Sequence, residues 1–348
     1  MSRAEVVPET TTETVIDATT EPTAETVAET APDHAVTIAS SSTSVTASIL
    51  DYRQENGRTY HAYKDGKYYL PNDERENDRL DLQHNLFLLT FNDKLGNAPP
   101  NDEDAKVGRA LDVGTGTGIW AIDFADEHPE CEVLGFDLSA NFPLYMPPNV
   151  RFEVDDLEEP WTYSRPFDYI HSRMMNGSIS DWNVYARKCF NNLSPGGYLE
   201  LTECNIKPEC DDGTLKADSM LLRTVGMVQE ASEKLGRPAM DMKGLKDVLI
   251  NAGFVDVKLL QYKWPLNDWP KEHRYKEIGI WSHDNAVSGW EGLCTTILTR
   301  TYGWTAAEAI VAMAQCRKEM KDRSIHAYYP LYSAYGRKPE EPEKEESA

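Results

Sequence analysis

The stretch RALDVGTGTGIWAIDFA, Arg109 to Ala125, decides the fold. ALDV is an apolar run of the length of a short buried strand. Gly114, Gly116 and Gly118 follow, and GIWAIDFADEH then carries a helical pattern. Strand, glycine loop and helix in that order form a turn that cradles a nucleotide, because the helix start leaves backbone N–H groups free and glycine lets a ligand approach the main chain. Dinucleotide sites space their glycines G-x-G-x-x-G. Here the spacing is G-x-G-x-G, and Ile119 stands where the third dinucleotide glycine would be. Asp112, just before the loop, would set a carboxylate against a pyrophosphate, whereas a ligand with an ammonium group would welcome it. Both features disfavour a nicotinamide dehydrogenase.

Working outward, CEVLGFDL reads as a second strand, VRFEVDD as a third, FDYIHS as a fourth and SDWNVYARKCFNNL as a helix. A turn at Ser194-Pro195-Gly196-Gly197 leads into GYLELTE, a fifth strand. Two helices follow, the second closing on Gly253, and FVDVKLLQYKWPL is a sixth strand. Thr305 and Glu308 form a capping box that opens AEAIVAMAQCRKEMKD. SIHAYYPLYSAYG alternates like a last strand, expected to pair antiparallel with the sixth at the sheet edge. Strands alternating with helices predict a Rossmann-like α/β fold: seven mostly parallel strands, helices on both faces and an antiparallel last strand.

Upstream, ENGRTYHAYKDGKYYLPND suggests a structured loop or a short hairpin turning at Asp65-Gly66. In ERENDRLDLQHNLFLLTFNDKL, Leu82, Leu86, Phe87 and Leu89 recur at helical spacing, with Asn72 or Asp73 as cap. Residues 1–48 are low-complexity Thr/Ala/Glu/Val with an acid at every fourth position from Glu5 to Asp33. On a helix these acids would repel one another, so a disordered acidic tail is expected, with a partner-binding arm as the alternative. The expected organisation is tail 1–48, an N-terminal cap over the cofactor site 49–105, a catalytic domain 106–338 and a second acidic tail 339–348.

The chain of 348 residues carries −23, of which −7 falls in residues 1–50. An acidic surface repels phosphate backbones and argues against nucleic acid as a partner. No secretory h-region and no apolar run near the ~20 residues of a membrane helix is found, which predicts a soluble protein that is cytoplasmic or nuclear, not secreted and not membrane-bound. The six cysteines show no C-x-x-C pair and no metal-ligand spacing, so no metal is expected and the thiols are expected to be reduced.

Acids at the next strand ends name the ligand. Asp137 ends the second strand, 19 residues after Gly118, where a carboxylate accepts both ribose hydroxyls. Asp155 and Asp156 end the third, and either can accept from an adenine amino group. Ribose, adenine and ammonium without a phosphate binder describe S-adenosylmethionine. Methyl transfer from a sulfonium needs alignment first and a base only if the nucleophile must lose a proton. The candidate bases are His171, ending the fourth strand, and Glu203, ending the fifth. Arg173 could hold an acidic substrate or pair with a carboxylate. The segment 264–322, with Trp264, Trp269, Trp281, Trp290 and Trp304, reads as a helical insertion, either walling a pocket for an aromatic or polyketide-like acceptor or forming a plain helical core. The [N/D]-P-P-[Y/F] motif of nucleic-acid amino methyltransferases is absent after the fourth strand, where HSRM stands. Met146-Pro147-Pro148-Asn149 precedes the third strand instead.

LDVGTGTG, GFDLS, FEVDDLEEPW, FDYIHSRMMNG and LSPGGYLELTE resemble class I S-adenosylmethionine-dependent methyltransferases. With ENGRTYHAY, LPNDERENDRLDLQH and CDDGT, the resemblance narrows to the fungal LaeA-like methyltransferases of secondary metabolism and covers roughly residues 50–338. It implies a cofactor set of Asp112, Gly114, Thr115, Gly116 and Gly118 for the methionine end, Asp137 with Leu138 for the ribose, and Asp155 with the Asp156 backbone for the adenine. His171 joins that set, and Tyr60 with His61 would close over the pocket. The function it implies is methyl transfer to a small-molecule acceptor. The alternative is a nuclear regulator acting with velvet-domain partners. Members nearest the regulator read more like YPCDEPEQDR where this chain has YLPNDERENDR, and no basic cluster resembles a nuclear import signal.

Overall fold

The computed structural model describes residues 50–143 and 145–340. The expected tail over 1–48 lies outside them, as does the second tail from residue 341.

Eight strands form the main sheet in the order β5-β4-β3-β6-β7-β10, with β9 and the short β8 both paired to β10. Their ranges are β3 Arg109–Val113, β4 Glu132–Asp137, β5 Val150–Val154, β6 Phe167–Arg173, β7 Leu193–Cys204, β8 Glu209–Cys210, β9 Val255–Pro265 and β10 Ala327–Arg337. Strands β3 to β7 pair in parallel, while β10 runs antiparallel to both β7 and β9. The order reverses beside β3, the point at which such sheets open a crevice beyond the carboxyl ends of their strands.

The expected antiparallel pair is present, but β10 is not at the edge. It lies between β7 and β9, and every residue from Ala327 to Gly336 is buried. The eighth strand is the two-residue β8, too short to leave a periodic signal.

Seven α-helices of the described residues pack around this sheet: α1 Glu74–Phe91, α2 Ile119–Glu127, α3 Trp182–Asn192, α4 Met220–Lys234, α5 Leu245–Ala252, α6 His273–Tyr302 and α7 Ala306–Lys321. Alternation along β3 sorts two of the cores. Ala110 packs with Trp120 and Phe124 of α2, whereas Leu111 and Val113 pack with Tyr185 of α3 and Leu249 of α5. Helices α1, α4, α6 and α7 form a third core against Trp264, Tyr329 and Leu331 at the β9–β10 end. Asp73 caps α1 by accepting from the Glu76 N–H at 3.1 Å, and the Thr305–Glu308 capping box of α7 is complete in both directions.

Helix α6 is 30 residues long and its buried positions run around several faces, because α1, α7, α4 and β9 all pack on it. A single apolar stripe is therefore absent, which is why the sequence points to a helical insertion without bounding this helix. A Cβ at its Gly279 would stand 2.2 Å from the Asn267 carbonyl, so glycine is what lets α6 approach the end of β9.

The N-terminal hairpin pairs β1 Arg53–Glu55 with β2 Arg58–Tyr60. It turns at Asn56-Gly57, both left-handed at φ 52° and 74°, and not at Asp65-Gly66. An Asn-Gly pair suits a two-residue turn that needs positive φ twice. Asp65-Gly66 bends the strap that follows.

Candidate active site

The carboxyl ends of β3, β4, β5 and β6 open into a cleft of about 1100 Å³. Its floor is the glycine loop. Gly114 has φ 71°, a backbone conformation that L side chains rarely adopt, which is what calls for glycine here. The Asp137 carboxylate accepts from the Gly116 N–H at 3.0 Å and the Ser139 N–H at 3.1 Å. Burial pushes its pKa up, with those N–H bonds opposing the rise. Asp155 accepts from the Asp156 N–H at 2.8 Å and lines the cleft. Asp156 is paired to Lys67, which also reaches Glu158 at 3.3 Å.

Lys67 comes from the strap. His61 shapes it, its Nδ1–H donating to the Tyr63 carbonyl at 2.7 Å and its Nε2 accepting from the Tyr68 N–H at 3.2 Å. Helix α1 closes the same side. Glu76, Asn77, Leu80 and Gln83 line the cleft, and Asp81 accepts from Thr117 Oγ1 at 2.7 Å, tying the helix to the glycine loop.

Arg173 supplies a cation to the cleft wall. It lies over the Phe87 ring at 4.9 Å and donates to His84 Nδ1 at 3.0 Å. His84 Nε2–H in turn donates to Asp123 at 2.8 Å, which sets the tautomer that can accept from arginine. Burial lowers the His84 pKa, and burial pushes the guanidinium down to about 10, so it remains charged at neutral pH. Arg173 makes no ion pair within 4.0 Å among the described residues. Arg173 lines the cleft, and a guanidinium is the group that pairs bidentately with a carboxylate.

Gly114, Thr115, Gly116, Asp137, Leu138, Asp155 and Asp156 all line this cleft. The other predicted positions stand elsewhere. Asp112 is buried beneath the loop, where it accepts from Thr115 Oγ1 at 2.5 Å and from His171 Nδ1–H at 2.8 Å across the β3–β6 ladder. It shapes the turn and presents no carboxylate to a ligand ammonium. His171 is stacked on Trp120 with ring centroids 3.8 Å apart and is 2% exposed, so it reaches neither the cleft nor an acceptor. A Cβ at Gly118 would meet the Phe152 ring at 2.4 Å, so this glycine packs the start of α2. Tyr60 shares a hydrogen bond with Thr296 at 3.0 Å and lies under Arg300, away from the cleft.

A second cavity of about 880 Å³ adjoins the first, and Tyr68, Leu80, Gln83 and Met174 line both. Glu203 lies on its wall, fully buried, and accepts the backbone N–H groups of Met175 and Asn176 at 2.9 Å each. Those bonds hold the turn in which Met174 is left-handed, φ 57°. Burial pushes the Glu203 carboxyl up to about 8. Trp264 and Trp290 line this cavity, while Trp269, Trp281 and Trp304 do not. The expected cap over 49–105 does not name its lining residues, Glu76, Leu80 and Gln83 of α1 and Lys67 of the strap, and the sequence leaves Arg173 between an acidic ligand and an ion pair. The polar face of ERENDRLDLQH carries a signal for the first, since Glu76, Leu80 and Gln83 recur at helical spacing.

A glycine loop, acids at successive ends of parallel strands and an arginine without an ion pair among the described residues make this cleft the place where the α/β sheet would hold a nucleoside-bearing ligand. Residues 82–259 match the family model described as a methyltransferase domain. The chain is 40% identical over 301 residues, 86% of its length and 92% of the relative's, to methyltransferase pytC of Aspergillus terreus. It is 38% identical over 308 residues, 87% of its length and 100% of the relative's, to secondary metabolism regulator LAE1 of Cochliobolus heterostrophus. It is 34% identical over 293 residues, 83% and 77% of the two chains, to protein-methionine methyltransferase laeA of Emericella nidulans. The chain belongs to the LaeA-like class I methyltransferases, S-adenosylmethionine-dependent enzymes. No helix of the described residues is long and apolar enough to cross a membrane.

Proposed function

We propose that this protein methylates a small-molecule acceptor of fungal secondary metabolism, with the cofactor in the cleft and the acceptor in the second cavity. The observation that carries this reading is the junction of the two cavities at Tyr68, Leu80, Gln83 and Met174. Bound there, S-adenosylmethionine supplies an electrophilic methyl on a good leaving group. The chain's residues supply position. Asp137 holds the ribose hydroxyls, Asp155 and the Asp156 backbone read the adenine edge, and Arg173 pairs with the methionine carboxylate. Glu203 fixes Met174 at the junction, and this positioning role fits its two backbone bonds better than a base does. The test is labelled cofactor incubated with fungal metabolite extracts, followed by mass spectrometry. A labelled small molecule is the expected product, and its absence with intact cofactor binding would overturn the reading.

Met174 supports a second reading. Met174 lines both cavities, and one relative is named for protein-methionine methylation. Under this reading the acceptor is a protein methionine and the chain works as a regulator beside velvet-domain partners. Label appearing in a methionine peptide of the protein, with none in the extracts, would favour it.

A further inference from the structure

The second cavity names a class of acceptor, an inference that rests on the small-molecule reading above. Helix α6 turns Ser282, Asn285, Ala286, Gly289, Trp290 and Leu293 toward it, a stripe at helical spacing. The facing wall includes Trp264 and Tyr329. Both indole N–H groups are spent elsewhere: Trp264 Nε1 donates to Thr90 Oγ1 at 2.9 Å and Trp290 Nε1 to Thr224 Oγ1 at 3.1 Å. The rings therefore offer carbon surface to a ligand, suited to offset or edge contact with another ring.

Charge on this wall is already matched. Arg79 is held by both oxygens of Glu76 and donates to Asn285 Oδ1 at 2.6 Å. Glu203 is engaged by two backbone N–H groups. An anionic acceptor would lose its hydration and gain no counter-charge.

Neutral polar groups are what remain unspent. Ser282 is 1% exposed, and its Oγ has no partner among the described residues. Asn176 Oδ1 is likewise buried and unpartnered among the described residues. An unpaired buried polar group carries an uncompensated desolvation penalty, so the Ser282 hydroxyl can donate to a ligand oxygen and Asn176 Oδ1 can accept from a ligand hydroxyl.

We propose that the methyl acceptor is an uncharged, ring-bearing molecule with hydroxyl or keto oxygens, packed against Trp264 and Trp290 with one oxygen at Ser282. The probes are 2-naphthol and 2-naphthoate, which share a ring and differ in charge. Each is titrated calorimetrically into the full-length protein saturated with S-adenosylhomocysteine. The expected result is at least tenfold tighter binding of 2-naphthol. Ser282→Ala should weaken 2-naphthol about fivefold, and Leu293→Trp, which fills the cavity, should abolish its binding. Both variants should keep S-adenosylhomocysteine affinity, since neither residue lines the cofactor cleft; this also shows that they fold. Equal or tighter binding of 2-naphthoate, no binding of either probe, or 2-naphthol binding indifferent to both variants would overturn the proposal. Failure of the wild type to bind S-adenosylhomocysteine would instead strike the cofactor assignment beneath it.

Discussion

The cofactor cleft and the second cavity meet at four residues but are assembled differently. The cleft's strand-end wall comes from four short runs, 114–117 with Ile119, 136–139, 155–157 and 173–175, each at the end of a parallel strand. Its acids are oriented by backbone N–H bonds within a turn or across one strand pair. The second cavity draws on the strap, α1, the turns after β6 and β7, the end of β9, one stripe of α6 and the start of β10. A ligand bound through ribose and adenine hydrogen bonds is held by local geometry that a short motif can encode. A ligand bound through shape needs surfaces that only packing brings together.

This contrast can be broken most severely at Asp137. Asp137→Ala should weaken S-adenosylmethionine about 100-fold, the loss of charge-assisted ribose bonds, while leaving 2-naphthol binding within twofold; calorimetry reads both. A comparable loss at both sites would mean that the cavities are one unit. Arg173→Gln should weaken S-adenosylmethionine about tenfold and leave decarboxylated S-adenosylmethionine unaffected. Equal losses for the two ligands would reduce Arg173 to a structural role.

Glu203 sharpens the comparison from the junction. Its folded pKa, raised to about 8, lies above the usual 4.5. Its contribution to stability is therefore complete below about pH 4.5 and is lost as pH rises towards 8. Denaturant unfolding should show wild-type stability falling by up to about 1.4 kcal/mol per pH unit from this group between pH 5 and 8. Glu203→Gln should flatten that slope, and an unchanged slope would refute the assignment. The smallest effect is expected at Thr305, remote from both sites: Thr305→Ala should cost about 1 kcal/mol of unfolding free energy and alter neither affinity.

Much of the cleft was legible because its determinants are short-range. The glycine spacing, Asp137 and the Asp155-Asp156 pair could be read at strand ends, where alternation and turn chemistry limit a residue's position to within a place or two. Asp112 and His171 were legible as residues but not in orientation. Their carboxylate and imidazole face each other across two strands, and neither residue lines the cleft. For Arg173, either an ion pair or a ligand contact suits an arginine at a strand end. His84, distant in sequence, decides between them by offering an imidazole nitrogen where a carboxylate would have neutralised the charge. The hairpin was misplaced because Asp-Gly and Asn-Gly carry the same turn signal and differ only in what flanks them.

From the sequence alone came the parallel α/β architecture, the class of cofactor and the strand-end acids that line its cleft, since these follow from periodicity and glycine conformation over a few residues. Only the tertiary structure set β10 inside the sheet, turned Asp112 and His171 inward, exposed Arg173 to the cleft and shaped the second cavity. Each of these depends on which side chain, tens or hundreds of residues away, reaches a given polar group first, and burial then makes that pairing expensive to change.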